Sequence, residues 1–151
     1  MPNQKTYQRL EEEGYQPNLD PYLKYDSLAS ESDLNELFSV LESFKDSNGN
    51  HPVITANTIV ANPDFDRIRQ SNFEQYYYED FTETLNKYEE HANSFQVWQQ
   101  GIAKNVFKPQ YHGREHINIF QWMGALKRGD ELVHKAFENK MISISSMDKN
   151  L

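Results

Sequence analysis

The chain has no cysteine. That excludes disulfides, thiolate metal sites and cysteine-nucleophile chemistry, so any metal ligand has to be His, Asp or Glu. No apolar stretch approaches the roughly 20 residues that a membrane-spanning helix needs, so no membrane span is expected. The opening residues, Met1-Pro2-Asn3-Gln4-Lys5, hold no apolar signal core, and the chain as given reads as cytoplasmic. Runs of lysine or arginine are missing as well. The formal net charge is −8 over 151 residues, the wrong sign for a protein that tracks a phosphate backbone, and no nucleic-acid partner is expected. Apolar residues are modest at 37%, yet nine Tyr, nine Phe and two Trp are more than a disordered chain carries and predict an aromatic-rich core.

What is present is an alternation of helical and extended patterns, read as a single domain. Residues 5–13 predict a short helix with Tyr7 and Leu10 on it and Gly14 as its stop. Residues 15–27 read as loop, around Pro17, Asn18 and Pro21. Ser30-Glu31-Ser32-Asp33 resembles a capping box, and Leu34, Leu37, Phe38, Leu41 and Phe44 follow at helical spacing as far as the turn Asp46-Ser47-Asn48-Gly49-Asn50. Residues 52–60 are nearly all apolar or β-branched, which suits a strand buried on both faces. Asn62-Pro63-Asp64 predicts a turn, 73–81 a short strand or extended loop, and 82–88 a helix. Ser94 is expected to cap a helix that points Phe95, Trp98, Ile102 and Val97 inward. A strand over 106–111 then ends on His112. A helix over 117–127 sets Ile119, Phe120, Met123 and Leu126 on one face, with Gly129 as its stop. Asp130 caps another helix running through Phe137, and 141–145 predicts a last short strand. This order implies an α/β fold with a parallel sheet of three or four strands, too few for a closed barrel.

The segment with the most chemistry is Gln110-Tyr111-His112-Gly113-Arg114-Glu115-His116. On spacing alone, two nearby His are polar loop residues. Their place at the C-terminal end of a strand, where α/β sheets present ligands, favours two nitrogen ligands of one divalent metal. Gly113 is expected to let the backbone turn tightly between them. Arg114 could steady a carboxylate or oxyanion and Glu115 could orient a His ring, or the two could form a solvated charge pair. Asn57, near the end of the first strand, is placed at the same mouth and joins Arg114 as a candidate for substrate contact; Asn62 is explained as a turn residue. His51, His91 and His134 read as structural or solvent-facing. Tyr76-Tyr77-Tyr78 could stack on sugars or pack in a core.

The strand followed by His112-x-x-x-His116 and a helix resembles the second motif of the polysaccharide deacetylase family (NodB homology, carbohydrate esterase type). Residues 95–106, helix then strand, resemble that family's approach to its histidine motif. The run Asn50-His51-Pro52-Val53-Ile54-Thr55-Ala56-Asn57-Thr58-Ile59-Val60-Ala61-Asn62-Pro63 and the form His-Gly-Arg-Glu-His are similar to a bacterial subgroup. The resemblance spans residues 1–145. It implies a distorted (β/α) barrel, incomplete at both ends in this chain. It also implies a divalent metal, usually zinc, held by His112 and His116 together with an Asp from an Asp-Asp pair whose other member is the general base. The implied substrate is an acetylated carbohydrate or polysaccharide. No Asp-Asp pair occurs in the sequence, so the chain is expected to be a fragment of the catalytic domain, weak in metal affinity and with little activity by itself. The alternatives are a non-catalytic carbohydrate-binding or interaction remnant that uses Tyr76, Tyr77, Tyr78 and Trp122, and a plain α/β scaffold. Open sheet edges would also permit self-association.

Overall fold

A computed structural model describes residues 4–17 and 28–144. In chain order the elements are α1 (Gln4–Glu12), α2 (Glu31–Glu42), β1 (Ile54–Ile59), β2 (Ala61–Pro63), α3 (Phe65–Gln70), β3 (Tyr78–Asp80), α4 (Phe81–Asn86), a 3-10 turn (Glu89–His91), α5 (Ser94–Ala103), β4 (Phe107–Gly113), α6 (Ile119–Lys127) and α7 (Glu131–Glu138). The fold is mixed α/β, and the described residues form no closed barrel. They divide into two compact units, one of residues 28–62 and 78–116, the other of 4–17, 63–77 and 117–144. The expectations for 18–27 and for Ser145 lie outside the described residues.

In the unit of 28–62 and 78–116, the capping box forms as its sequence predicts. The Asp33 N–H donates to the Ser30 hydroxyl at 3.2 Å, and the Ser30 N–H donates back to the Asp33 carboxylate at 2.9 Å. These bonds satisfy backbone donors that the first turn leaves over, and they hold the Asp33 carboxyl below its ordinary value, the Ser30 backbone bond contributing most. Ser30→Ala is expected to cost about 1 kcal/mol, read as a shifted midpoint in urea. A depressed carboxylate stabilises the fold above its unfolded pKa and loses that effect as pH falls through its folded pKa. The Ser30→Ala penalty should therefore shrink in acid.

Helices α2 and α5 pack on one face of the parallel pair β1–β4. Leu34, Phe38, Val97, Val106 and Phe107 form the core there, with Ala56 and Trp98 against it. Partners in a parallel ladder point the same way, so Thr55 with Lys108 and Asn57 with Gln110 share the other face, and all four are exposed. That corrects the expectation of a strand buried on both faces. The Thr and Asn in Ile-Thr-Ala-Asn-Thr-Ile alternate with the apolar residues, and only one side is covered.

The inward face of α5 also differs from the expectation. Ser94, Val97 and Gly101 are buried, whereas Phe95 and Ile102 are 39% and 46% exposed. Small residues let the helix approach α2 closely. Asn93, not Ser94, is the N-cap residue; the Ser94 hydroxyl instead donates to the Ala29 carbonyl at 3.0 Å. Phe44 lies beyond the end of α2 and is exposed. Asn62-Pro63, expected as a turn, belongs to β2, which pairs with β3.

In the unit of 4–17, 63–77 and 117–144, Ile68, Trp122, Met123, Leu126 and Phe137 form one core cluster, and Leu10, Ala136, Met141 and Ile144 another. Helix α3 was not anticipated. Asp64 is its N-cap, accepting from the Arg67 N–H at 3.0 Å, and the turn signal Asn-Pro-Asp was in fact a helix start. The last expected strand is absent across 141–144. Its backbone is committed elsewhere: the Met141 N–H donates to the Ala136 carbonyl at 2.9 Å, and the Ile142 carbonyl accepts from the Trp122 indole N–H at 3.0 Å. Arg69 makes two bonds to Glu138, at 2.6 and 2.8 Å, and this holds the Glu138 carboxyl below its ordinary value. The pair stabilises the end of α7 above the ordinary carboxylate range, and the effect is lost as pH falls through the depressed value. Glu138→Gln should flatten that part of the acid limb in a plot of urea midpoint against pH.

Candidate metal centre

The strand β4 carries His112 as its penultimate residue. Thr58 pairs with Tyr111 and Ile59 with Gly113, so His112 has no partner on β1 and forms a bulge in the ladder. Bulges recur beside functional sites because they re-aim one side chain without ending the strand. The ladder then continues, with the Val60 N–H on the Gly113 carbonyl at 3.1 Å and the Ala61 N–H on the Arg114 carbonyl at 2.8 Å. These bonds extend the pairing as far as Arg114, two residues before His116.

The two imidazoles meet edge to face, with centroids 4.8 Å apart and planes at 74°. Both residues are exposed. Among the described residues, neither ring makes a hydrogen bond. The other three histidines do: His51 Nδ1 to the Phe44 carbonyl at 2.8 Å, His91 Nδ1 to the Ala29 carbonyl at 3.3 Å, and His134 Nε2 to the Leu126 carbonyl at 2.8 Å. Those three are tied to the backbone. The pair keeps its lone pairs uncommitted, the state a metal ligand needs. Among the described residues, no group of three or more His, Asp or Glu is placed to hold a metal ion.

Gly113 is not needed for a tight turn. Its φ is not in the left-handed region, and a Cβ there would meet only the His116 ring, at 3.9 Å. Arg114 and Glu115 bond to each other, Nε and an Nη each reaching a carboxylate oxygen at 2.6 Å. The Glu115 side chain is 6% exposed, which makes this a half-buried pair and not the solvated one weighed from sequence. The Arg114 guanidinium also lies over the Tyr78 ring at 4.7 Å. Asn57 sits opposite Gln110 on the open face of the sheet, the face to which Lys108 and Gln110 belong. Asn62 is taken out of the site, since its amide donates to the Thr84 hydroxyl at 3.0 Å.

Tyr76, Tyr77 and Tyr78 make no continuous aromatic surface. Tyr76 packs edge-on to Trp122, whose ring is buried, and Tyr77 is covered by the Arg67 guanidinium at 4.1 Å. Tyr78 is 46% exposed. Sequence inspection overlooked Tyr111, which precedes His112 and is 69% exposed. An aromatic at a strand end next to a ligand pattern was the available signal. No helix among the described residues is long and apolar enough to cross a membrane. In comparisons with known proteins, the chain matches no family model, no curated protein and no solved structure.

Proposed function

We propose that the chain is part of a metal-dependent hydrolase that removes N- or O-acetyl groups from carbohydrate. It would form part of a distorted (β/α) barrel of the polysaccharide deacetylase type and have little activity by itself. The observation that carries this is the His112–His116 pair: two exposed, uncommitted imidazoles in contact at a bulge near the C-terminal end of a parallel strand. The open polar face of β1–β4, helix-covered on its other side, supports the fold assignment.

In this reading His112 and His116 hold zinc through ring nitrogens. The bound ion would polarise an acyl carbonyl and lower the pKa of water. Arg114, fixed by Glu115 and Tyr78, and Asn57, on the open sheet face, contact the sugar or its acetyl group. The third ligand and the base that takes a proton from water are not among these residues, so hydrolysis needs groups beyond those assigned here.

The test is a calorimetric zinc titration of the chain beside a His112→Ala/His116→Ala variant. Binding in the parent that disappears in the variant is expected; binding of equal strength in both would remove the metal from the proposal. No acetate should be released from a chitin oligomer by the chain alone, and detectable release would refute its inactivity. The exposure of Tyr111 and Tyr78 favours a second reading, a carbohydrate-binding surface without chemistry, in which zinc has no effect on sugar affinity.

A further inference from the structure

We infer that Asn48 is a site of spontaneous deamidation, which converts it to a mixture of aspartyl and isoaspartyl residues. Asn48 is the one asparagine in the sequence that is followed by glycine. The nucleophile in this reaction is the backbone nitrogen of the next residue. A side chain on that residue obstructs the approach to the asparagine amide carbon, and glycine has none. The surroundings of Gly49 are open too, since a Cβ built on it would meet nothing within 4 Å. Residues 46–50 are all exposed, so hydroxide and water reach the turn. Among the described residues, the Asn48 side-chain amide makes no hydrogen bond that would hold it away from Gly49. The neighbouring Asn50 differs in both respects: its amide donates to Asp46 Oδ2 at 3.3 Å, and His51 follows it. Asn139 is restrained in the same way, with its amide on the Lys135 carbonyl at 2.8 Å and Lys140 next in sequence.

The atoms balance with water as the only co-reactant. Hydroxide takes the Gly49 N–H proton, the nitrogen attacks Asn48 Cγ, and the bond from Cγ to the side-chain nitrogen breaks, releasing ammonia. Water then opens the cyclic imide at either carbonyl. One water enters and one ammonia leaves, with no change of oxidation state. Asp46 acts against the first step. Its carbonyl accepts from the Gly49 N–H at 3.0 Å, and its carboxylate accepts from the Asn48 and Asn50 N–H groups at 2.8 Å each. That carboxylate also disfavours negative charge on the nearby nitrogen. An exposed backbone bond of this kind slows the reaction by about fivefold and does not stop it. The product adds one negative charge to a chain whose formal net charge is already −8. In the isoaspartyl form the main chain is one carbon longer, which breaks the register of the bonds to Asp46. The change stays within the turn, because the contact of His51 Nδ1 with the Phe44 carbonyl at 2.8 Å closes it from outside.

The experiment is incubation of the purified chain in mildly alkaline buffer, folded and in urea, with samples digested over time. Tandem mass spectrometry then separates the asparaginyl, aspartyl and isoaspartyl forms at each position. In the folded chain, position 48 should convert ahead of Asn50 and Asn139, with isoaspartyl product present. Asn48→Gln should remove the more acidic species that ion exchange resolves from the parent. Asp46→Ala, checked for unchanged far-ultraviolet dichroism, should convert severalfold faster at position 48. Conversion in urea with none in the folded chain overturns the inference, because the turn then protects Asn48 outright. Conversion of Asn50 or Asn139 as fast as Asn48 overturns it too, because neither the following glycine nor the unbonded amide would then select the site. An unchanged rate in Asp46→Ala overturns the part given to Asp46.

Discussion

Gly101→Ala should destabilise the chain by about 1–3 kcal/mol, the usual range for overpacking a filled core. Alanine is the better helix former by up to about 1 kcal/mol, so helix propensity alone predicts the opposite sign. Packing decides. A Cβ on Gly101 would run into the Phe38 ring and come within 2.9 Å of the Phe107 Cβ. Neither neighbour can yield easily. Phe38 and Phe107 are 3% and 5% exposed and stack against each other at 5.4 Å, and Phe107 opens β4. Urea denaturation of Gly101→Ala measures the loss. A Phe38→Leu/Gly101→Ala double variant should recover part of it, because the smaller side chain vacates the space that the new methyl needs. The two changes should therefore be non-additive. A Gly101→Ala chain as stable as the parent would mean that α2 and α5 are not packed this closely.

The same contact explains why α5 was misjudged from sequence. Helical spacing identifies a stripe, but it ranks the stripe by hydrophobicity, and Phe95 and Ile102 outrank Ser94 and Gly101, whereas Val97 is buried and Trp98 packs against the core as expected. A close helix crossing prefers the small set, and only the partner's shape reveals that preference. Where a signal is local, it read through correctly: Ser30 with Asp33, and Asp130 accepting from the Val133 N–H at 3.1 Å, are caps made within four residues. Non-local commitments were not visible. Residues 141–144 look like a strand until Trp122 and Ala136 claim their backbone groups. Likewise, Asp64 reads as a turn residue until Phe65 and Ile68 find an apolar surface behind it.

For the candidate site, the sequence showed which residues to look at but not their state. The His-x-x-x-His spacing singled out two rings, and the structure brings them into contact. The bulge that frees His112 from the ladder depends on how β4 registers with a strand some fifty residues earlier, which no local pattern encodes. That the Glu115 side chain is buried and engaged by Arg114 likewise depends on the tertiary structure. Among the five histidines, the useful distinction is which nitrogens are already bonded to carbonyls, and that depends on the tertiary structure.

Phe137→Ala is expected to cost about 3–5 kcal/mol, as truncations of fully buried aromatics do, against a total stability of about 5–15 kcal/mol for an ordinary domain. Phe137 is 0% exposed and is the hub of its cluster, with ring centroids 5.2 Å from Phe65, 5.2 Å from Phe73 and 5.7 Å from Trp122. The Arg69 guanidinium sits over the ring at 5.3 Å, so truncation also strips the stem of the Arg69–Glu138 pair of its support. Phe120 is the control. Its place in the expected apolar stripe of α6 marked it as core, yet it is 89% exposed while its neighbour Trp122 is 7% exposed. Phe120→Ser should change stability by no more than about 0.5 kcal/mol. Hydrogen exchange of the α6 and α7 amides separates the outcomes. Protection there should fall sharply in Phe137→Ala and hold in Phe120→Ser. Equal losses in the two variants would mean that α6 is rotated to bury Phe120, and Trp122 would then lose its bond to the Ile142 carbonyl.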